Sequence, residues 1–216
     1  MSDLQELAVL LREGNASKIT AVTEQLLQSG VAAKTVLNEG LIPGMDIVGQ
    51  KMRDAEMYLP EVLQSARAMR AAMAVLRPHL AAQGVQPVGR IVLGTVKGDL
   101  HDIGKNIVAI MLQGAGIEVI DLGVGVAPEK FIEAIQTHHP ELLGMSALLT
   151  TTMTWMKKTM DAIAEAGLRS QVKIMVGGAP ITKRFADEIG ADGFSRDAAG
   201  AAMVARELLA GSAKAR

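Results

Sequence analysis

The residues of this chain that are best suited to chemistry lie in one short polar turn, Asp99-Leu100-His101-Asp102. An apolar run, Ile91-Val92-Leu93, precedes the turn and is typical of a strand buried on both faces. A histidine that ligates a metal usually donates its other ring N–H to a carboxylate or a carbonyl, and Asp99 stands in a suitable position for that role. The residues alone leave two interpretations open. Either the turn supplies a metal ligand, His101, with Asp99 as its carboxylate partner, or it is an ordinary solvated loop between a strand and a helix.

Alternating strands and helices position this turn from Gly89 onward. The predicted strands span 90–96, 117–121, 142–147, 172–176 and a short stretch near 193–194, and the predicted helices span 104–115, 128–137, 152–167, 181–189 and 196–210. Five strand–helix units of this length predict a flavodoxin-like, doubly wound parallel sheet of α/β class with the strand order 2-1-3-4-5. Such sheets bind ligands at the switch point between strands 1 and 3. The loops after those two strands should therefore carry the binding residues.

The loop after strand 3 is rich in hydroxyl groups, and the loop after strand 4 contains a pair of glycines. The first of them, Ser146-Ala147-Leu148-Leu149-Thr150-Thr151-Thr152, is rich in hydroxyl groups, which either cap the next helix or line a polar cavity. The second contains Gly177-Gly178, which permits either a tight turn or a close approach of the backbone to another group. Gly123 and Gly125, after strand 2, are assigned no role, and His138-His139 is interpreted as a solvated turn.

The first part of the chain has helical periodicity and no convincing strand. Four segments with apolar residues at helical spacing predict a four-helix bundle, bent near Pro43-Gly44, with its last helix beginning near Pro60 and disturbed by Pro78. The stretch Gln83–Gly89 then breaks the helical period with two glycines and a proline. The predicted organisation is therefore a bundle over 1–83, a linker over 84–89 and an α/β domain over 90–216.

Composition excludes several classes of function. A formal net charge of −1 argues against nucleic acid or an anionic membrane surface as the main partner. No apolar run approaches the roughly 20 residues of a membrane span, and the N-terminus lacks the pattern of a signal peptide. Because the chain contains no cysteine, it has neither disulfides nor thiolate metal sites. These features predict a cytoplasmic protein.

The turn also has a family resemblance. Asp99-Leu100-His101-Asp102-Ile103-Gly104 fits Asp-x-His-x-x-Gly and resembles the signature of cobalamin-binding domains that hold the cofactor base-off. The resemblance implies that His101 replaces the cofactor's own base as the lower axial ligand of cobalt and that Asp99 hydrogen-bonds this histidine. Asp102 and Gly104 belong to the same signature and are assigned to cofactor binding.

The two later loops extend the resemblance. The segment Ser146-x-Leu148-x-Thr150 is similar to the family segment that lines the pocket for the nucleotide tail, and the Gly177-Gly178 pair implies close contact between that tail and the backbone. By position, Thr152 matches the hydroxyl residue that completes a ligand triad with the histidine and the aspartate. Relatives of methionine synthase have serine there; threonine keeps the hydroxyl and adds a methyl group.

The bundle resembles the helical domain that precedes the cobalamin domain in methyl-carrying corrinoid proteins. The resemblance lies in Gly44-Met45-x-x-Val48-Gly49 and in the segment Glu56–Val62. In that family the bundle is a cap over the upper, methyl-bearing face of cobalt. A purely structural bundle explains the same apolar positions, so both interpretations stay open.

Among cobalamin proteins, the resemblance implies a methyl carrier. Mutases need a large substrate barrel, and the cap of photosensing regulators carries a tryptophan and a Glu-His pair, whereas here Trp155 is the only tryptophan and lies outside the cap. The implied cofactor is cobalamin or a related corrinoid, whose cobalt cycles between methylcobalamin and cob(I)alamin. The implied partners are a substrate-specific methyltransferase, an acceptor methyltransferase that uses tetrahydrofolate or a thiol, and a reductive activation protein. The carrier alone lacks a complete active site. The alternative is a corrinoid-binding sensor or storage protein without methyl transfer.

Overall fold

The computed structural model describes residues 3–84 and 87–213, and it divides into two compact units at Pro87 and Val88. The first unit is helical and the second contains a sheet. Residues 85 and 86 of the predicted linker lie outside the described residues. None of the helices within the described ranges combines the length and the apolar character that a membrane span requires.

The helical unit is built from α-helices and one π-helix. Its elements are α1 (Asp3–Arg12), α2 (Ala16–Gln28), α3 (Ala33–Thr35), the π-helix (Val36–Leu41), α4 (Ile42–Arg53) and α5 (Leu59–Ala82). Because the helical run from Ala33 to Arg53 is continuous, the described residues of the unit form four helical segments, which confirms the predicted bundle. Its fully buried side chains include Leu7, Leu11, Ile19, Ala66 and Leu76, which follow the predicted apolar positions.

The prolines of this unit behave partly as expected. Pro60 stands in the first turn of α5, where a missing N–H is tolerated, and α5 continues through Pro78 to its end at Ala82. The irregularity predicted near Pro43 lies one turn earlier, in the π-helix, where the N–H of Ile42 donates to the carbonyl of Leu37. Pro43 has no N–H to donate, and the hydrogen-bond pattern changes just before it.

The second unit is a parallel sheet with helices. Its elements are β1 (Gly89–Thr95), α6 (Ile103–Gly114), β2 (Ile117–Asp121), α7 (Pro128–His138), β3 (Leu142–Ser146), α8 (Met153–Glu165), β4 (Lys173–Gly177), α9 (Lys183–Glu188), β5 (Gly193–Ser195) and α10 (Ala198–Ala213). The strand order is β2-β1-β3-β4-β5 with every pair parallel, which confirms the predicted doubly wound fold. The predicted bounds lie within three residues of the observed ones.

The register of the central strands brings their carboxyl ends to one edge of the sheet. Thr95 pairs with Ser146, and Ser146 pairs with Gly177, so β1, β3 and β4 end level with one another. The central strand β1 is buried on both faces, since its consecutive residues Ile91 and Val92 point to opposite faces and are both fully buried. The loops that follow these three strands therefore meet at the edge where open α/β sheets bind ligands.

Candidate functional site

A fully buried carboxylate, that of Asp99, is the centre of the site at this edge. Its Oδ1 lies 2.7 Å from Nδ1 of His101, and its Oδ2 accepts a 2.7 Å hydrogen bond from the hydroxyl of Thr152. The structure thus brings together the three residues of the predicted triad, one of which comes from a different loop. The side chain of His101 is about half exposed, at 51%.

The proton arrangement of His101 follows from its partner. An ionised carboxylate only accepts hydrogen bonds, so Nδ1 of a neutral imidazole carries the proton in this contact. Nε2 is then the unprotonated nitrogen, with its lone pair available. Within the described ranges, Nε2 of His101 makes no hydrogen bond. The arrangement presents one imidazole nitrogen as a ligand, with a tautomer fixed from behind by a carboxylate.

Hydrogen bonds keep Asp99 ionised despite its burial. Burial by itself raises the pKa of this carboxyl, but donors from Thr152, His101 and Leu148 favour the charged form, and the net result is a pKa well below the usual range. The backbone N–H groups of Leu148 and Leu149 lie 2.7 and 3.2 Å from Oδ2, and the backbone N–H of His101 lies 3.1 Å from Oδ1. Asp99 therefore joins the loop after β1 to the loop after β3.

Thr152 uses its hydroxyl in this network rather than as a helix cap. It occupies the N-cap position of α8 but makes no side-chain capping hydrogen bond, and it is buried. The hydroxyl also lies 2.9 Å from the carbonyl of Leu149; having one proton, it favours the charged acceptor, Asp99. For Thr152 the capping interpretation is therefore wrong. Within the part of the chain that the structure describes, the side chains of Ser146 and Thr150, on the same loop, make no hydrogen bond to Asp99 or Thr152.

The loop after β2 supports the histidine turn from the other side. The N–H of Gly125 donates to the carbonyl of Asp99 at 2.9 Å, and the hydroxyl of Thr95 donates to the carbonyl of His101 at 3.0 Å. Gly123 and Gly125 both have positive φ, 81° and 64°, a conformation that favours glycine. These glycines were assigned no role from the sequence, although two glycines at Gly-x-Gly spacing after a strand could have indicated a tight loop with positive φ.

The Gly177-Gly178 pair forms a close approach between two loops. Gly178 has a φ of 130°, and a Cβ placed on it would lie 1.9 Å from the carbonyl oxygen of Ala147. A Cβ on Gly177 would lie 3.0 Å from the carbonyl oxygen of Ser195. Glycine at 178 thus lets the loop after β4 lie against the loop after β3.

Asp102 and Gly104 stand at the exposed start of α6. Asp102 accepts a hydrogen bond from the side chain of Asn106 at 3.0 Å and another from its backbone N–H at 2.8 Å, which stabilises the first turn. A Cβ on Gly104 would meet no described heavy atom within 4 Å, so the backbone faces open space there. This opening leaves room for a ligand beside the histidine turn.

Apolar side chains on these loops are unusually exposed. Leu100 and Ile103, on either side of His101 in sequence, are 75% and 69% exposed, and Leu148 is 43% exposed. We call these three side chains the apolar rim. Their exposure on the segments that carry His101 and Asp99's backbone partner Leu148 makes them available to an apolar ligand bound beside the histidine. Leu148 was predicted, whereas Leu100 and Ile103 were missed; the available signal was their apolar character within a polar turn.

The fold and this geometry define an α/β ligand-binding domain that offers one oriented histidine at its switch point. Comparison with known proteins agrees. Residues 89–205 match the family model described as B12 binding domain, and residues 3–77 match a second model with the same description. A corrinoid protein of Desulfitobacterium hafniense strain Y51 is 39% identical over 212 residues, which cover 97% of this chain and 98% of that protein.

Two proteins of Methanosarcina barkeri are also similar. The dimethylamine corrinoid protein is 42% identical over 209 residues, covering 96% of this chain and 97% of that protein. A chain in the crystal structure of the methanol:cobalamin methyltransferase complex aligns with a TM-score of 0.85 and 28% identity, covering 97% of this chain and 80% of that chain. The protein therefore belongs to the corrinoid proteins with a B12 binding domain, as its sequence motifs predicted.

Proposed function

We propose that this protein carries a methyl group on the cobalt of a corrinoid bound at His101. The observation that carries the proposal is the hydrogen-bonded series Thr152–Asp99–His101, which leaves Nε2 of a half-exposed imidazole free to ligate. His101 would ligate the cobalt from below, and Asp99 and Thr152 would complete the ligand triad.

The number of protein ligands favours a corrinoid over a bare metal ion. Protein sites for bare ions such as zinc supply three or four side-chain ligands. Among the described residues, no group of three or more His, Cys, Asp or Glu side chains stands close enough to hold an ion. A corrin ring supplies the equatorial nitrogens itself and needs only one axial ligand from the protein. The single oriented imidazole fits that requirement.

The chain's own residues would bind the corrinoid, orient the imidazole of His101 and shield the bound ring from water. Asp99 holds the proton on Nδ1, so that Nε2 keeps its lone pair, and the Thr152 hydroxyl holds Asp99 in place. The apolar rim would exclude water from a ring bound beside His101. The remaining cofactor-binding residues in this proposal are Asp102, Gly104, Ser146, Leu148, Thr150, Gly177 and Gly178.

The corrinoid supplies the cobalt centre that accepts the methyl group and gives it up again. A substrate-specific methyltransferase would bring the methyl donor to the carrier, and a second methyltransferase would pass the methyl to an acceptor such as tetrahydrofolate or a thiol. A reductive activation protein would reduce the cobalt again when it has become oxidised. Dimethylamine and methanol appear in the names of the relatives. We therefore propose a small methylated compound as donor. In this scheme residues 1–83, 84–89 and 90–216 serve as bundle, linker and cobalamin domain.

Electron paramagnetic resonance tests the ligand. The protein loaded with the Co(II) form of a corrinoid that lacks its own nucleotide base should show splitting from one protein nitrogen, and His101→Ala should abolish it. His79→Ala, which removes an exposed histidine on α5, is the matched control and should retain it. Splitting that survives in His101→Ala would contradict the assignment of His101.

Methyl cycling tests the function. Reduced, corrinoid-loaded protein is mixed with a ¹⁴C-methylated donor and its methyltransferase, and then with an acceptor and a second methyltransferase. Label should first appear on the protein and then leave it with the acceptor. A sensor or storage protein would bind the corrinoid and pass no label.

A further inference from the structure

Lys105 is a buried charge that the proposed function does not use. It lies in the first turn of α6, its side chain is only 1% exposed, and its Nζ lies 2.5 Å from Oδ2 of Asp121 and 2.9 Å from Oδ1 of Asn106. A buried ammonium is unfavourable unless it is paired and hydrogen-bonded. The pair joins the start of α6 to the last residue of β2.

Asp121 passes this connection on to the loop after β2. Its Oδ1 accepts a 2.8 Å hydrogen bond from the N–H of Gly123, whose carbonyl accepts one from the N–H of Thr95 at 3.0 Å. Two residues further along the same loop, Gly125 holds the carbonyl of Asp99. Both ends of this loop are therefore tied, one to Lys105 through Asp121 and the other to the histidine turn.

The contacts form a closed ring that includes His101. From Lys105 the ring runs through Asp121 and the loop 122–125 to Asp99, and then along the chain through His101 and back into α6. Asn106 adds a branch, because it accepts from Lys105 and its amide donates to Asp102. Without the ion pair, α6 and the loop after β2 are no longer joined at this point, and the turn that carries the imidazole gains freedom.

We infer that Lys105 is a positioning residue for His101: the ion pair of its buried ammonium with the partly exposed Asp121 fixes the histidine turn so that the imidazole meets Asp99 through Nδ1 and presents Nε2. The inference deepens the proposed function, on which its meaning for cobalt rests. The position of the imidazole is nevertheless a property of the protein without cofactor, so it can be tested separately.

The first test is nuclear magnetic resonance of the full chain without corrinoid, labelled with ¹⁵N-histidine. The chain has four histidines, so the ring-nitrogen spectrum is simple, and His101→Ala assigns one set of signals. At pH ~8, where an ordinary histidine is neutral, wild-type His101 should show one tautomer with the proton on Nδ1. Lys105→Met and Asp121→Asn should each replace it by a mixture of tautomers.

Glu118→Gln is the matched control, because Glu118 also lies on β2 and pairs with Arg90 of β1, on an exposed part of the same strand pair. It should leave the His101 signals unchanged. If Lys105→Met does not fold, Asp121→Asn takes its place as the test variant. Its amide oxygen can still accept the hydrogen bond from the N–H of Gly123, so the substitution removes the charge of the ion pair and leaves the loop contact in place. Folded Lys105→Met or Asp121→Asn protein with wild-type His101 signals would overturn the inference.

The second test uses the corrinoid-loaded protein. Removing a group that orients a metal ligand typically lowers affinity 10–100-fold, so we expect about a tenfold weaker Kd for the Co(II) corrinoid in Lys105→Met. The paramagnetic spectrum of the bound fraction should include molecules without nitrogen splitting. Wild-type affinity together with full splitting in that variant would also overturn the inference. Absence of splitting in the wild type would instead contradict the proposed function, while the cofactor-free experiment would still decide the role of Lys105.

Discussion

Thr152 and Asp99 stand 53 residues apart in the chain, and the hydroxyl of the first donates a 2.7 Å hydrogen bond to the carboxylate of the second. A further contact strengthens this connection between α8 and the histidine turn, because Nζ of Lys97 lies 4.6 Å from the ring centroid of Trp155. The first turn of α8 therefore holds the loop after β1 at two points. The orientation of His101 depends on a helix that follows β3, not only on its own loop.

Two replacements of Thr152 separate the contribution of its hydroxyl to the free energy of unfolding from the contribution of its side-chain volume. Thr152→Val keeps the volume and removes one donor to a buried carboxylate, so it should lower the free energy of unfolding by about 1.5–3 kcal/mol. Thr152→Ser keeps the donor and should recover most of that loss. Urea denaturation of the three proteins at neutral pH measures the difference. Equal stability of the valine and serine variants would show that the hydrogen bond contributes nothing.

The stability that Asp99 confers should depend on pH in a defined direction. Because its pKa is lowered in the folded state, the contribution is complete above the unfolded-state pKa of about 3.9 and is lost as the pH falls toward the lower folded value. Asp99→Asn lacks this titration. The stability difference between wild type and Asp99→Asn should therefore be constant from pH ~7 to ~5 and should shrink below pH ~4. Urea denaturation over that range decides, and a difference that stays constant down to pH ~3 would contradict the expectation.

The sequence predicted the sheet well because its signals are local. Each strand is a short apolar run followed by a helical period, and the alternation fixes a doubly wound class without knowledge of any distant contact. Asp99 and His101 are equally readable as candidate partners, since they stand two residues apart on one turn and are within reach of each other in the sequence. Thr152 required the family resemblance, because only the completed fold brings it to Asp99.

The burial of Lys105 and its ion pair with Asp121 could not be predicted from the sequence. Beside Asn106 and at the start of a helix, a lysine has the pattern of a solvated residue, and its partner Asp121 lies sixteen residues away on a strand. Its burial depends on the way α6 packs beside the end of β2, which no local period encodes. The π-helix Val36–Leu41 was not predicted either, since its residues have the apolar spacing of an ordinary helix and Pro43 marks only the place of the irregularity, not its form.

Gly178→Ala tests the close approach of two loops. A methyl group there would meet the carbonyl oxygen of Ala147 at 1.9 Å, a backbone atom that cannot rotate away, and the φ of 130° adds conformational strain. Gly167→Ala is the control, because Gly167 has a φ of 71° and no described atom within 4 Å of the added methyl. We expect the control to lose about 1–2 kcal/mol and Gly178→Ala to lose clearly more. Thermal or urea denaturation measures both, and equal losses would show that the contact with Ala147 does not constrain the loop.

Leu100→Gln tests the apolar rim. Leu100 is 75% exposed, so its replacement by a polar side chain of similar length should change the free energy of unfolding by less than about 0.5 kcal/mol. Covering this side chain with a bound ring should contribute about 1.5–3 kcal/mol, which corresponds to a roughly 10–100-fold weaker Kd for the corrinoid in the variant. Met203→Gln, at a 49% exposed position on α10, is the control and should bind as the wild type does. Equilibrium dialysis with a Co(II) corrinoid measures all three proteins. Unchanged affinity in Leu100→Gln would mean that the exposed leucine beside His101 does not contact the cofactor, and equal weakening in both variants would point to a general effect of surface polarity.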